Sequence, residues 1–151
     1  AILLCDGANW FKIGGSSIPM LASAKRGTSQ GPITASTFVK VLLDTAISDS
    51  AAMFNSANSK IEPKRPGTYL LTMGGRLDGG SQSATFMIYV NGTEVGRVAS
   101  TDSAPTGAFT IPVVLAAGDD VEVWVYSSIA ATITQFTAAP TFLSILEVPT
   151  W

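Results

Sequence analysis

The sequence predicts an all-β sandwich of two packed sheets, and three observations carry that reading. Thr and Ser number sixteen each and Gly fourteen. Apolar residues come in short runs broken by turn residues at intervals of about eight to fifteen. No segment sustains a helical period. With 151 residues the chain has room for one core of ordinary size.

Taken in chain order, residues 1–18 differ from the rest. Asp6-Gly7-Ala8-Asn9 and Gly14-Gly15-Ser16-Ser17 punctuate a stretch holding Trp10, Phe11 and Ile13. This reads as a hairpin or connector leading into a domain at 19–151, and the start at Ala1 rather than Met reads as a fragment of something longer. A faint strand signal covers 20–25 and a stronger one 38–44. The polar residues Ser48, Asp49, Ser50, Asn55 and Asn58 predict that 46–57 is a loop between strands. A strand is expected at 67–73. The clearest element is the run 85–90, followed by Asn91-Gly92 and the run 93–98; that dipeptide supplies the two positive φ angles of a type I′ turn. In such a hairpin Phe86, Ile88, Val90 and Val95 share one face, and Met87, Tyr89, Glu94 and Val98 the other. Further strands are expected at 109–115, 121–126, 131–136 and 141–148. In 121–126, Val121, Val123 and Val125 alternate with Glu122, Trp124 and Tyr126, so the valines belong to the core. The total of eight to ten strands suits a jelly-roll sandwich.

Composition excludes several kinds of function. The chain holds no histidine, which removes Ser-His-Asp and Cys-His catalysis and the commonest metal ligand. Its one cysteine, Cys5, forbids an intrachain disulfide or a cysteine zinc cluster, and beside Asp6 it reads as inert. Nine basic against eleven acidic residues leave a net charge of -2, so no broad basic surface exists for nucleic acid. The apolar runs are far shorter than a spanning helix needs. Charged residues make up only 13% and mean hydropathy is +0.34, so a lone copy would expose apolar patches.

From Phe38 onward a set of features recurs in a specific order. Val39-Lys-Val-Leu-Leu-Asp44 is followed by a polar loop through Phe54-Asn55 and by Ile61-Glu-Pro-Lys-Arg-Pro-Gly-Thr-Tyr-Leu-Leu71. The Asn91-Gly92 hairpin comes next, then Leu115-Ala-Ala-Gly-Asp-Asp-Val-Glu-Val123, then Thr141-Phe-Leu-Ser-Ile-Leu146. In order and spacing, residues 38–148 resemble the complement C1q-like branch of the tumour-necrosis-factor-type jelly rolls. One departure is the last strand, where the family commonly has Phe-Ser-Gly and this chain has Phe142-Leu143-Ser144. The resemblance implies a ten-stranded sandwich that assembles as a homotrimer and binds other molecules without catalysis. Collagen-like repeats and cysteine pairs are missing, and residues 4–13 look similar to connectors before terminal domains of phage fibre proteins.

Several residues invite a chemical reading. Trp124 and Tyr126, with Tyr89 and Met87 on the neighbouring strand, face away from the core; they serve a trimer interface, a ligand, or packing under a loop of their own chain. Asp119 and Asp120 read as a turn opening a strand, with calcium ligation or paired catalytic carboxylates as the sharper alternative. Asp78, within the glycine-rich run 74–80, reads as part of a flexible loop lacking a nucleotide-loop ending. Lys60, Lys64 and Arg65 form a small basic cluster on a solvated loop, or one that meets an acidic glycan or phosphate. Asn91-Gly92-Thr93 matches a glycosylation sequon that turn geometry already explains.

The expectation is therefore a non-enzymatic homotrimeric head domain of a phage fibre, at the virion surface, binding a bacterial surface receptor such as a glycan through distal loops. Its partners are copies of itself, the host surface and the rest of the fibre, with no cofactor, nucleic acid or membrane insertion. The alternative is a trimerisation or decoration domain on a virion or on a bacterial cell or spore surface, without a receptor of its own.

Overall fold

Alternation of apolar and polar residues along long strands organises the molecule. A computed structural model describes the chain at residues 2–5, 10–13, 18–134 and 140–149. Among these residues there is no helix, and fifteen strand segments occur. Ile2–Cys5 (β1) and Trp10–Ile13 (β2) pair only with each other, antiparallel.

One sheet has the strand order β12-β9-β15-β3-β6, formed by Thr106–Leu115 (β12), Gly67–Arg76 (β9), Phe142–Glu147 (β15), Leu21–Lys25 (β3) and Thr45–Asp49 (β6). The other runs β11-β10-β13-β8-β7, from Thr93–Asp102 (β11), Gln82–Val90 (β10), Val121–Ser127 (β13), Lys60–Ile61 (β8) and Phe54–Asn55 (β7). Thr37–Lys40 (β5) joins this second sheet on the same edge of β13 as β8, one strand on each half of that edge. Ala131–Ile133 (β14) and Gln30–Ile33 (β4) pair separately.

The two large sheets close over one core. Phe86, Ile88, Val121, Val123 and Val125 from one meet Tyr69, Leu71, Met73, Leu143 and Ile145 from the other, all fully buried. Fully burying an aliphatic or aromatic side chain contributes about 1.5–3 kcal/mol, so this layer dominates the stability of the domain. The non-consecutive strand neighbours give the jelly-roll connectivity expected from the sequence.

The structure corrects the sequence reading at five places. Residues 45–49 are a strand paired with β3, not part of a loop; backbone pairing at an open sheet edge overrides their polar composition. The strand expected at 38–44 ends at Lys40, after which Val41 and Leu43 turn into the core. Gly74 and Gly75 lie inside β9 rather than in a flexible loop. A Cβ on Gly75 would stand 2.7 Å from the Phe86 ring, so the missing side chain is what admits that ring to the core. The strand expected at 131–136 is observed over Ala131–Ile133, and 135–136 lie outside the described residues.

The fifth correction concerns the hairpin. Asn91 and Gly92 have φ of 50° and 77°, as a type I′ turn requires. Tyr89 pairs with Glu94, but Ile88 pairs with Gly96, so Val95 is an extra residue in a β-bulge. The extra residue reverses the facing of everything after it. Val98 therefore lies opposite Phe86 and packs on the core, while Arg97 takes the outward place opposite Met87.

Candidate functional site

Two outward surfaces and a cavity stand out among the described residues. The first surface lies on the β10-β13-β5 sheet. Strand register places Phe38 beside Tyr126, Lys40 and Met87 on either side of Trp124, and Tyr89 beside Glu122. The Phe38 and Tyr126 rings are 5.3 Å apart at 45°, and Tyr89 and Trp124 are 5.5 Å apart at 41°. These are tilted aromatic contacts of the favourable kind. Trp124, Tyr126 and Tyr89 are half-buried, and Phe38 is 52% exposed. Met87 has no exposed surface; it supports this face from beneath and has nothing to offer a ligand or a second copy directly.

A polar frame holds the stripe. The Trp124 indole N–H donates to Glu122 Oε2 at 3.0 Å, and Lys40 Nζ donates to Glu122 Oε1 at 2.5 Å and to the Asn58 carbonyl at 2.7 Å. At the other border Arg97 grips Glu94 through two hydrogen bonds of 2.6 and 2.8 Å. That pair exists because of the bulge: residues three apart on a regular strand point to opposite faces, and Val95 brings both to one. Phe38 and the Arg97–Glu94 pair were not singled out from the sequence. The Phe38 position two residues before Lys40 was legible; the bulge was not.

The second surface is the outer face of the five-stranded sheet. Leu21, Leu146, Leu70 and Pro112 stand in one register row across β3, β15, β9 and β12. Val114 is 79% exposed at its border, and Leu146 42%. Thr110, Thr72, Ser144 and Ser23 form the next row. On the strands of this face the charged residues Lys25 and Arg76 sit at one end. A cavity of about 400 Å³ opens at that same end, over Gly74, Gly107 and Ala108 and beside Phe142. Gly74 carries no side chain, and the Phe142 ring takes that space; a Cβ there would stand 2.6 Å from the ring.

Every Asp and Glu among the described residues accepts a hydrogen bond. Asp119 accepts from the Ala116 N–H at 2.7 Å and from Asn91 Nδ2 at 2.8 Å, and Asp120 holds Lys60 at 2.7 Å. These two carboxylates build a turn. Asp78 pairs with Arg76, and its backbone bridges to Thr132. No group of three His, Cys, Asp or Glu side chains suited to a metal occurs among the described residues. The basic cluster is dispersed: Lys60 binds Asp120 and Glu62, Arg65 binds Glu147, and Lys64 is exposed. The hydrogen bond to Asp120 raises the Lys60 pKa, and the bond to Glu147 raises that of Arg65, so both cations are held by their own chain. Cys5, Asp6 and Trp151 have side chains outside the described set.

The Arg65–Glu147 pair fastens the point where the chain enters the sandwich. Glu147 also accepts the Met20 N–H at 2.9 Å, while Arg65 donates to the Ile18 carbonyl at 3.0 Å. The guanidinium hydrogen bonds hold the Glu147 carboxyl below its ordinary value, against the opposing effect of burial.

No family model matches the sequence, and no curated protein matches it. Solved structures do match the fold. Murine APRIL at pH 5.0 superposes with a TM-score of 0.70 at 13% identity, covering 87% of this chain and all of that one. Eiger TNF from S. frugiperda gives 0.65 at 10% identity, covering 89% of this chain and 94% of that one. The fold is a tumour-necrosis-factor-like jelly roll.

Proposed function

We propose that this chain is the non-enzymatic head domain of a homotrimeric fibre, of the kind with which a phage engages a bacterial surface glycan. Three copies meet through the outer face of the five-stranded sheet. The observation that carries this reading is the face itself: four apolar residues in one register row, a nearly fully exposed valine beside them, and charges confined to one end. Soluble monomers rarely leave so continuous an apolar surface open to water. Its hydroxyl row of Ser and Thr can be buried with mutual hydrogen bonds, as Thr72 and Thr110 already show at 2.9 Å. The number three comes from the resemblance to C1q-like jelly rolls, and the fibre setting from the connector-like residues 4–13.

The carboxylates support a binding role over a catalytic one. Each described acid is hydrogen-bonded within its own turn or ion pair, and the chain has no histidine to act as a proton carrier near neutral pH.

Light scattering coupled to size exclusion tests the assembly. A mass near three times 15.7 kDa is expected, and a stable monomer at micromolar concentration overturns the seam. Adsorption of the labelled domain to bacterial cells, reduced when surface polysaccharide is removed, tests the receptor role. A trimer that adsorbs to no bacterial surface points instead to a structural or decorating role on the particle.

A further inference from the structure

We infer that the ligand platform of this domain is the aromatic stripe on the β10-β13-β5 sheet, and that it takes a neutral, hydroxyl-rich saccharide laid across Trp124 and Tyr126. This deepens the head-domain reading and rests on it, moving the contact from distal loops to a sheet face.

The chemistry of the stripe selects the occupant. Trp124 and Tyr126 are two residues apart on one strand, so they stand on one face with backbone positions about 7 Å apart along it. A pyranose ring offers an apolar C–H face to such a surface and hydroxyls around its edge. Small-molecule sites commonly combine aromatic area with a few fixed polar groups in this way. Those groups are present. Glu122 lies beside Trp124, Arg97 and Glu94 border the stripe, and neither the Tyr89 nor the Tyr126 hydroxyl is hydrogen-bonded to another described residue.

Charge decides which saccharide. The cations on this face, Lys40, Arg97 and, farther along the sheet, Lys60, each already hold a carboxylate: Glu122, Glu94 and Asp120. The face therefore offers no unmatched cation for an acidic sugar or a phosphate. The same closed pairs argue against a second copy as occupant, because burying them across a protein seam carries a desolvation cost that the apolar row of the other sheet avoids. The rings are also held in place beforehand. Met87 is fully buried below them, Glu122 anchors the indole N–H, and each ring leans on an aromatic neighbour. A platform that needs no reordering loses less entropy on binding.

The test uses immobilised neutral O-antigen polysaccharides and uronic-acid-containing capsular polysaccharides as probes, with labelled wild-type chain, Trp124→Ala and Tyr126→Ala. Each substitution is expected to weaken binding to neutral polysaccharide by at least about tenfold, the scale of a central aromatic contact. Oligomer mass is expected to stay at the wild-type value. If either variant fails to fold, Trp124→Phe and Tyr126→Phe keep the packing and are expected to give a smaller loss in the same direction. Unchanged polysaccharide or cell binding in all variants overturns the platform and leaves the head-domain reading standing. Preference for the acidic probes overturns the neutral class. Dissociation of the oligomer by a folded Trp124 or Tyr126 variant makes the stripe the seam and overturns the inference. Wild-type chain that binds neither cells nor any polysaccharide overturns the head-domain reading and the platform with it.

Discussion

Glu147 shows how one side chain can fasten a terminus to a sandwich. Its carboxylate accepts hydrogen bonds from both Arg65 and the Met20 N–H, so the first core strand starts at a fixed place. Replacing it with alanine leaves the buried Met20 N–H without its acceptor, and a loss of about 1–3 kcal/mol is expected in urea melts at neutral pH. The sign of the pH dependence follows from the lowered value. A carboxyl whose folded pKa lies below its unfolded value of about 4.5 contributes stability above that pH and loses it as pH falls through the folded value. Asp44 adds to this in the same direction. Burial pushes its pKa up, but the Gly27 N–H, the Thr45 and Thr28 hydroxyls and Arg26 together bring it below the ordinary value. Wild-type chain is therefore expected to lose stability between about pH 4.5 and lower values, and Glu147→Ala to lose less over that range, as paired melts would record. None of this pairing was legible in the sequence, because Arg65 and Glu147 are separated by most of the fold and meet only when β15 lies beside β9.

At the scale of elements, the Asn91-Gly92 turn was read from the sequence, while its consequences were not. Asn91 joins two turns: its amide donates to Asp119 and accepts the Asp120 N–H, at 2.8 and 2.9 Å. Asn91→Ala loses both bonds and forces alanine into a left-handed conformation, so a cost of about 1–2 kcal/mol is expected in thermal or chemical melts. The β9 glycines make a second case. Gly75→Ala sets a Cβ against a fully buried Phe86 ring, and a cost of about 1–3 kcal/mol is expected from such overpacking. Residues 45–49 mark the limit of local reading. Their polar residues do suit a loop, yet the open edge of β3 supplies backbone partners that outweigh side-chain preference. The bulge at Val95 belongs to the same class, since Gly96 lets Phe109 and Ile111 approach β11, with a Cβ there only 2.8 Å from Phe109.

For the whole molecule, the proposed assembly and ligand roles fall on the two different sheet faces. One carries an apolar row with its charges at one end; the other carries aromatic rings framed by closed ion pairs. Because Val114 is 79% exposed in the single chain, Val114→Glu leaves the fold intact and is expected to shift the oligomer toward a mass of 15.7 kDa at micromolar concentration. Circular dichroism would confirm that the separated chain remains folded. The same variant is expected to keep weak saccharide binding per copy and to lose the gain that three linked sites provide.

Alternation and turn chemistry carried the fold class, the valine core of β13, the outward facing of Trp124 and Tyr126 and the turn at 91–92, because each depends on neighbours within a few residues in the chain. Composition alone removed histidine chemistry, disulfides and broad phosphate binding. Only the tertiary structure decided that Phe38 stacks on Tyr126, that Val98 turns inward and Arg97 outward, that Met87 is sealed beneath its neighbours, and that the most continuous apolar surface lies on the sheet opposite the aromatic stripe. The reason is physical: a strand shows which residues alternate, but which face is covered depends on strands that arrive from far along the chain and on the register in which they pair.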